Sequence, residues 1–309
     1  AMSATSANII PLPVASAEPA AAPAPATAAA EPVAADSAPA YQPVPRWRQH
    51  LAAFARTVIP PLLTIALLLL VWQLLCARPG ASLPAPSKVL EDTWQLISDP
   101  FFDNGGTDKG LFWHMLASLK RVAYGYAIAA VVGVALGALI GCSVWAMRGL
   151  DPLFQVLRTI PPLAWLPLSL AAFRDGEPSA IFVIFITAVW PIIINTAVGI
   201  RNIPQDYQNV ARVLRMNAWE YSTIIMLPAA APYIFTGLRI GIGLSWLAIV
   251  AAEMLIGGTG IGFFIWDAWN SSLISDIILA LVYVGLTGFF LDRLIAFAGR
   301  LATRGTASA

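Results

Sequence analysis

Long runs of apolar residues recur along this chain, and they constrain its fold more than any other feature. The first occupies residues 57–76 and contains no charged side chain. A helix of about 20 apolar residues spans the roughly 30 Å hydrocarbon core of a bilayer. Hydrophobic residues make up 58% of the sequence and charged residues only 11%, whereas a soluble domain carries about 25% charged residues. The composition therefore predicts a polytopic membrane protein of the all-α class.

Further apolar runs bring the predicted bundle to about six transmembrane helices. The predicted spans are residues 57–76, 122–147, 153–173, 178–200, 232–256 and 276–298. Pro161, Pro162 and Pro167 interrupt the third span. Backbone groups left unpaired by such a break are tolerated at membrane depth only inside protein or beside a watery cavity. The last span carries Asp292 and Arg293 near its end.

Residues 1–45 differ from the rest of the chain, because Ala and Pro dominate them and Lys and Arg are absent. They lack the positive and apolar regions of a signal peptide. An Ala/Pro tract cannot bury enough surface to offset its ordering entropy, so a disordered tail is expected. The predicted organisation is a cytoplasmic tail at 1–45, a transmembrane domain at 46–302 and a second cytoplasmic tail at 303–309.

The distribution of Lys and Arg at the span ends predicts the orientation. With the amino terminus inside, the cytoplasmic ends collect most of these cations, among them Arg148, Arg201 and Arg212. Both termini, and the polar segment between the fourth and fifth spans, are therefore expected in the cytoplasm. Lys120 and Arg121 fall on the other side, where they are expected to snorkel to the lipid headgroups.

Small residues recur at every fourth position of the second span. The stripe consists of Gly125, Ala129, Gly133, Gly137 and Gly141. Small residues on one helix face let two membrane helices approach closely. The stripe therefore predicts tight helix packing, and a pore-lining role is the alternative.

Residues 202–228 form a polar island between two spans. Pro204 and Asp206 favour a helix start, because proline suits the first turn and an acid suits its positive end. The predicted apolar face, expected to pack on the bundle, is Tyr207, Val210, Ala211 and Leu214, and the polar face is Gln208, Arg212 and Arg215. A break is expected near Asn217, with a second short helix that ends before Pro228. The turn between them should protrude; the alternative is an ordinary connecting loop, although such loops are usually shorter.

Four ionisable residues lie inside or beside the spans, namely Arg158, Arg174, Arg239 and Glu253. Each costs about 2.5–3.5 kcal/mol at the bilayer centre on insertion scales, so a functional or pairing role is expected. Arg158 precedes the broken part of the third span, where it is either a cationic attractor for an anion or an interfacial anchor. Arg239 is expected to pair with a carbonyl, a lipid phosphate or a neighbouring helix. Glu253 is expected to cap a helix or contact a receptor.

The sequence contains no motif for catalysis. A Gly-x4-Gly-Lys-Ser/Thr phosphate loop is missing, so the chain is not expected to hydrolyse ATP or hold a cofactor. The glycine-rich residues 257–262 are interpreted as a turn after the fifth span. Cys76 and Cys142 are expected to act as small hydrophobic residues, and His50 and His114 as interfacial side chains. A net charge of +1 argues against nucleic acid as a partner.

The island resembles the loop by which permeases of ATP-binding-cassette importers dock their ATPase. That loop reads Glu-Ala-Ala, three residues, Gly, nine residues, Ile, one residue, Leu-Pro. The residues in register are Ala211, Ile225, Leu227 and Pro228, whereas Asn209, Val210 and Arg215 replace Glu, Ala and Gly. Residues 57–302 are similar to the nitrate/sulfonate/taurine branch, and residues 158–167 and 209–215 look most like cyanobacterial-type nitrate permeases and their bicarbonate paralogues.

This resemblance implies a type I ABC importer permease fold with a cytoplasmic coupling helix in a bacterial, cyanobacterial-type inner membrane. Its implied partners are a second permease copy, two cytoplasmic ATPases that bind ATP and Mg, membrane lipids and a substrate-binding protein at residues 77–112 and 257–276. The implied cargo is a small anion, nitrate with nitrite or cyanate; bicarbonate, sulfonate or taurine, and an ion-gradient-driven secondary transporter are the alternatives. Because Asn209 is neutral and Arg215 replaces Gly, the ATPase cleft is expected to be acidic.

Two sets of site residues follow. The residues implied in ATPase coupling are Asn209, Ala211, Arg212, Arg215, Met216, Asn217, Ala218, Trp219, Glu220, Ile225, Leu227 and Pro228. The residues hypothesised to line a translocation path are Arg158, Thr159, Pro161, Pro162, Trp165, Arg239 and Trp246.

Overall fold

The computed structural model describes residues 46–78 and 80–303, with side chains described from Phe54 onward. The predicted tail at 1–45, the side chain of His50 and residues 304–309 lie outside the described residues. Residues 1–60 and 61–309 form two separate units. Of the first unit only the helical residues 46–60 are described, and the packing presented below is that of the second.

Helices account for the regular secondary structure of the described residues, apart from one isolated β-bridge between Asp103 and Lys109. The α-helices are α1 (Arg46–Cys76), α2 (Pro86–Asp92), α3 (Trp94–Ser98), α4 (Leu111–Cys142), α5 (Val144–Leu157), α6 (Leu166–Phe173), α7 (Gly176–Arg201), α8 (Gln205–Val213), α9 (Ala218–Glu220), α10 (Leu227–Ile256), α11 (Ile261–Asn270) and α12 (Ile274–Thr303). A 3₁₀ turn at Pro162–Trp165 precedes α6, and a π-helical turn at Tyr221–Met226 joins α9 to α10.

Five of the helical segments are long and apolar enough to cross a bilayer, and a bent pair brings the number to six. The bent pair is α5 with the 3₁₀ turn and α6, which meet at 93° where the sequence predicts a broken third span. Three predicted spans have wrong boundaries. The second span runs from Leu111 to Cys142 rather than 122–147, because Ser143 is the N-cap of α5. The third therefore begins at Val144 rather than at residue 153.

The other wrong boundary is that of the fifth span, which begins at Ala218 instead of residue 232. The helix continues through Pro228 and Pro232. Proline removes one backbone donor and kinks a helix without always ending it. The π-helical turn directly before Pro228 adds a residue to the helical turn at the place where the normal hydrogen-bond ladder is lost. The second part of the island, from Ala218 onward, and the fifth span are therefore one continuous helical rod.

The stripe of small residues on α4 packs against α7, which confirms the predicted tight packing. The α7 residues that face Gly125, Gly133, Gly137 and Gly141 are, in order, Ile184, Ile192, Thr196 and Ile200. A Cβ added at Gly125 would lie 2.7 Å from the Cβ of Ile184, so only glycine fits there. Residue numbers rise together along both helices, and α4 and α7 are therefore parallel.

Helix α10 lies antiparallel to α7 and to α12. On its α7 side, Gly199 faces Tyr233, Gly237 faces Asn195 and Gly241 faces Ile192. On its α12 side, Gly299 faces Phe235, and the indole N–H of Trp246 donates to the carbonyl of Val284 at 2.9 Å. The largest buried apolar cluster lies between these helices and includes Ile184, Ile242, Trp246 and Ile249.

These directions define two ends of the bundle. The turn end carries Leu111, Gly176, Ile256 and Ile274, and the island end carries Cys142, Arg201, Ala218 and Thr303. Helices α2, α3 and α11 lie at the turn end, where Ser275 donates to Asp92 at 2.6 Å. The predicted receptor segments 77–112 and 257–276 thus share one end of the bundle, opposite the polar island.

Candidate functional site

The polar island opens as the sequence predicts. Pro204 is the N-cap residue of α8 with an extended ψ of 142°, and Asp206 lies in the first turn. The helix ends after Val213, and the backbone reverses at Arg215. The positive φ of 51° at Arg215 is a left-handed conformation that glycine adopts more easily than any other residue.

The reversal is a Schellman cap. The amide of Met216 donates to the carbonyl of Ala211 at 3.0 Å, and the amide of Arg215 donates to the carbonyl of Arg212 at 3.1 Å. These are the two hydrogen bonds that define the cap, and its C′ position is usually glycine. The geometry therefore explains why the loops that this island resembles carry glycine where this chain carries Arg215.

A capping box begins α9 directly after the reversal. The amide of Glu220 donates to Oδ1 of Asn217 at 2.8 Å, and the amide of Asn217 donates to Oε2 of Glu220 at 2.9 Å. The predicted break near Asn217 is confirmed. The predicted end of the second helix before Pro228 is wrong, because α9 passes through the π-helical turn into α10.

The predicted burial of the apolar face of α8 is also wrong. Ala211 is 8% exposed, whereas Leu214 is 65% exposed and Tyr207 and Val210 are also open. The helix projects beyond the ends of α4 and α7, so the bundle offers no further surface to cover it. Val213 and Trp219, at 80% and 77% exposure, enlarge this apolar surface.

The structure brings most of the predicted coupling residues together. Those around the reversal and in α9 are Asn209, Ala211, Arg212, Arg215, Met216, Asn217, Ala218, Trp219 and Glu220. Ile225, Leu227 and Pro228 lie behind them, in the π-helical turn and the first turn of α10. A cavity of about 500 Å³ separates the island from the ends of α4 and α7, and Ala211, Met216 and Tyr221 line it. We call the exposed surface formed by Tyr207, Val210, Arg212, Val213, Leu214, Arg215 and Trp219 the island tip.

The predicted path residues fall into two groups. Arg158, Thr159, Pro161, Pro162 and Trp165 surround the bend between α5 and α6. Thr159 donates its hydroxyl to the carbonyl of Val156 at 2.7 Å, and the Trp165 ring packs edge-on against Phe182 with centroids 6.3 Å apart.

Arg239 and Trp246 form the second group, on the side of α10 that faces α12. The guanidinium of Arg239 forms an ion pair with the carboxylate of Asp292, so the expected pairing is with a neighbouring helix. Trp246 is buried against Val284. The structure does not bring this pair to the bend, and the role of both groups in a path stays a prediction.

A buried polar network at the turn end escaped the sequence analysis. Glu253, which is 2% exposed, accepts hydrogen bonds from the hydroxyl of Ser118 at 2.7 Å, from Arg121 at 2.8 Å and from the amide of Gly262 at 3.0 Å. Arg121 also donates to the carbonyl of Thr259 at 2.6 Å. One carboxylate thus joins α4, α10 and the start of α11, and the expected capping role of Glu253 is confirmed.

The network corrects two predictions. Arg121 does not snorkel outward, because its guanidinium turns inward to Glu253 and reaches Glu177 at 3.2 Å. His114 is not interfacial, since it is 1% exposed and its Nδ1 lies 3.0 Å from the carbonyl oxygen of Gly260. The sequence signal was that Lys120 and Arg121 lie in the first half of the apolar helix α4 and Glu253 lies in the last turn of the apolar helix α10.

The turn end also carries the predicted glycine turn and an exposed ion pair. Gly257 and Gly258 adopt φ values of 82° and 90° and end α10, which confirms the turn. Lys109 contacts Asp103 at 2.8 Å. The hydrogen bond from Lys109, with a second from the amide of Gly105, lowers the pKa of the Asp103 carboxyl below its ordinary value.

Comparisons with known proteins agree with this architecture. The chain is 65% identical to a nitrate import permease protein of Synechocystis sp., over 82% of this chain and 93% of that protein. It is 54% identical to a bicarbonate transport system permease protein of Synechococcus elongatus, over 84% of this chain and 93% of that protein. Its fold is similar to a chain of the MetNI methionine ABC transporter, with a TM-score of 0.54 and 18% identity over 63% of this chain and 95% of that chain.

The family model described as "binding-protein-dependent transport system inner membrane component" matches residues 129–301. The match begins in the stripe of small residues on α4, covers the bent pair and the island, and ends in the last turn of α12. The chain belongs to the family of inner membrane components of binding-protein-dependent transport systems.

Proposed function

We propose that this chain is the permease of an ATP-driven importer of a small inorganic anion, with nitrate as the main cargo and nitrite or cyanate as further ones. The observation that carries the coupling part is the island tip, an apolar surface bordered by Arg212 and Arg215 at the end of the bundle. Within the described residues, neither arginine pairs with a carboxylate. The similarity to a nitrate permease over most of the chain supports the cargo.

The island tip is suited to receive force from another protein. Val213 and Trp219 offer apolar contact area, and the two arginines offer charge that matches an acidic cleft. Two cytoplasmic ATPase subunits would occupy this surface, bind ATP and Mg and hydrolyse the nucleotide. In that arrangement the island end and both termini face the cytoplasm, and a substrate-binding protein docks at the turn end.

A continuous helix connects the island tip to the turn end. The α9, π-helical turn and α10 segments form one rod over Ala218–Ile256. Its far end holds Glu253, which is bonded to α4 and α11. A displacement of the tip by an ATPase would therefore move the helix that packs against α7 and α12. We propose that two copies of the chain face each other around the path that these movements open.

The coupling proposal is tested by reversing the charge at the island tip. Arg215→Glu places an acid against the proposed acidic cleft, and like charges at an interface cost several kcal/mol. We expect the variant to lose about 90% or more of the ATPase that co-purifies with it. Arg215→Ala is the matched control, since it keeps a Cβ on the strained backbone and removes the guanidinium without adding an acid. Unchanged co-purification of Arg215→Glu would refute the proposed contact.

The cargo is tested by uptake into vesicles that contain the assembled transporter and its binding protein. We expect labelled nitrate to accumulate only when ATP is present on the ATPase side. Bicarbonate is the second candidate, because the chain is also 54% identical to a bicarbonate permease. Preferential uptake of labelled bicarbonate would favour that cargo. Uptake without ATP would instead indicate an ion-gradient-driven transporter.

A further inference from the structure

A small cavity lies between the bent pair and the island end of α7. Its volume is about 100 Å³, which corresponds to about three water molecules. Aliphatic side chains of α4 and α7 form much of its wall. The polar groups in the wall are Asp151, Gln155, Arg158 and Arg201.

Three of these polar groups share one face of α5. Asp151, Gln155 and Arg158 follow the i, i+4, i+7 spacing that aligns side chains along a helix. The amide nitrogen of Gln155 donates to Oδ2 of Asp151 at 2.8 Å, so that carboxylate already has a hydrogen-bond partner inside the chain. Arg201 approaches from the last turn of α7, where its Nη2 lies 3.4 Å from the carbonyl of Ile140.

Neither guanidinium group forms an ion pair in the described part of the chain, although the Asp151 carboxylate lies in the same wall. Neither Arg158 nor Arg201 has a carboxylate oxygen within 4.0 Å among residues 54–78 and 80–303. Arg121 and Arg239, two other arginines on the long helices, are both ion-paired. Arg158 and Arg201 are exposed, and with the Asp151 carboxylate they leave the wall of the cavity with a formal charge of +1. Their guanidinium N–H groups are therefore available for charge-assisted hydrogen bonds to an oxyanion.

We propose that this cavity binds one small oxyanion between Arg158 and Arg201. Guanidinium groups bind planar and tetrahedral oxyanions with paired, charge-assisted hydrogen bonds. The volume admits an ion the size of nitrate or bicarbonate, or the phosphate oxygens of a lipid headgroup. If the bound oxyanion is a free ion, the proposal rests on the proposed function, because that ion is then the cargo near the island end of its path.

The position of the cavity fits this role. Arg158 directly precedes the 93° bend, and non-helical backbone at membrane depth is tolerated where it lines protein or a watery cavity. Transporters place ion sites at such interrupted helices. Arg201 marks the other wall, one turn before α8 begins. An anion held here would lie between the broken span and the island.

The experiment compares Arg158→Gln and Arg201→Gln with Arg148→Gln in the assembled transporter, reconstituted in nanodiscs. Arg148 lies on the same helix α5 but does not line the cavity. Equilibrium binding of labelled nitrate, and of labelled bicarbonate in parallel, is measured without binding protein. Loss of a charge-assisted contact lowers affinity about tenfold or more. We expect this loss for Arg158→Gln and Arg201→Gln, and binding by Arg148→Gln within about twofold of the unmodified protein.

Two further measurements distinguish the source of the oxyanion. In nanodiscs without anionic lipid, anion binding that depends on Arg158 and Arg201 identifies a free anion. Phosphatidylglycerol that co-purifies with the unmodified protein and is lost from both variants, without free-anion binding, identifies a headgroup phosphate. If the glutamine variants do not assemble, Arg158→Lys and Arg201→Lys keep the charge, and a smaller loss of affinity is expected.

Binding of nitrate, bicarbonate and phosphatidylglycerol by the Arg158 and Arg201 variants at the level of Arg148→Gln would overturn the proposal. ATP-driven uptake by the unmodified transporter is measured separately. If uptake of nitrate fails while binding still depends on the two arginines, the proposed cargo is wrong and the oxyanion site stands. If uptake succeeds but the variants bind normally, the proposed function stands and the site is wrong.

Discussion

The two ends of the bundle satisfy their polar groups in opposite ways. At the turn end, Glu253 is 2% exposed and bonded to Ser118, Arg121 and Gly262. At the island end, Trp219 is 77% exposed, and Arg212 and Arg215 have no carboxylate partner within the described residues. The turn end pairs its buried carboxylate within the chain, whereas the island tip leaves its two arginines without a carboxylate partner among the described residues.

The difference fits the proposed coupling, in which the turn end is held together and the island tip is available to a partner. The buried network joins three helical elements at the turn end, namely α4, α10 and the start of α11. The island tip keeps its internal backbone geometry through a Schellman cap and a capping box, and leaves its side chains free. A docking surface with a fixed backbone loses less conformational entropy when its partner binds.

The largest effect is expected from removing the buried carboxylate at the turn end. Glu253→Ala leaves the Arg121 guanidinium without its buried carboxylate partner and with only the exposed Glu177, and removing one member of a buried ion pair costs about 3–5 kcal/mol. We expect a large fall in the thermal unfolding midpoint of the purified permease. Glu177→Ala is the matched control, since this carboxylate contacts the same arginine but is 58% exposed, and surface pairs contribute about 0–1 kcal/mol. Equal shifts of the unfolding midpoint for both variants would show that the Glu253 carboxylate does not stabilise the turn end more than the exposed Glu177 does.

A smaller effect is expected from the contact that holds both ends in one bundle. A Cβ at Gly137 would lie 2.6 Å from the Cβ of Thr196 and 2.7 Å from the carbonyl oxygen of Ile193. Gly137→Ala should therefore destabilise the α4–α7 contact by about 1–3 kcal/mol, as overpacked cores do. Gly285→Ala, with nothing within 4 Å, should be neutral or stabilise α12 by up to about 1 kcal/mol. A thermal midpoint for Gly137→Ala at or above that of Gly285→Ala would contradict the packing.

The smallest effect is expected from a backbone change in the island tip. Arg215→Gly removes the strain of a left-handed residue with a Cβ, about 1 kcal/mol. We expect slower hydrogen exchange at the Met216 amide, which is bonded to the carbonyl of Ala211. Arg212→Gly, in the regular helix, should lower protection by a similar amount because glycine costs about 1 kcal/mol there. Faster exchange in Arg215→Gly would show that the arginine itself stabilises the cap.

Features that depend on local pattern were predictable. Hydropathy located the spans, and the three prolines after Arg158 located the break in the third. The small-residue stripe predicted the tight contact of α4, because spacing along a helix determines which residues share a face. In the island, Pro204, Asp206 and Asn217 predicted where helices begin, since capping depends on residues close in sequence.

Features that depend on distant partners were not predictable. The apolar face of α8 was expected to be buried, but α8 extends past the bundle and Leu214 is exposed. Arg121 was expected at the headgroups, but its partner Glu253 lies 132 residues later in the chain. Pro228 was expected to end a helix, yet the π-helical turn before it carries the helix onward. In the first two cases the deciding group is not a sequence neighbour, and in the third the π-helical turn has no sequence signature that the local pattern revealed.

By itself, the sequence determined that this chain is a bundle of membrane helices with one polar island, because hydropathy and capping act over a few residues. Only the tertiary structure decided which charges meet. It paired Arg121 with Glu253 and Arg239 with Asp292, and left Arg158 and Arg201 facing one cavity. The physical reason is that ion pairs and cavities form between helices whose relative direction and register no local pattern encodes.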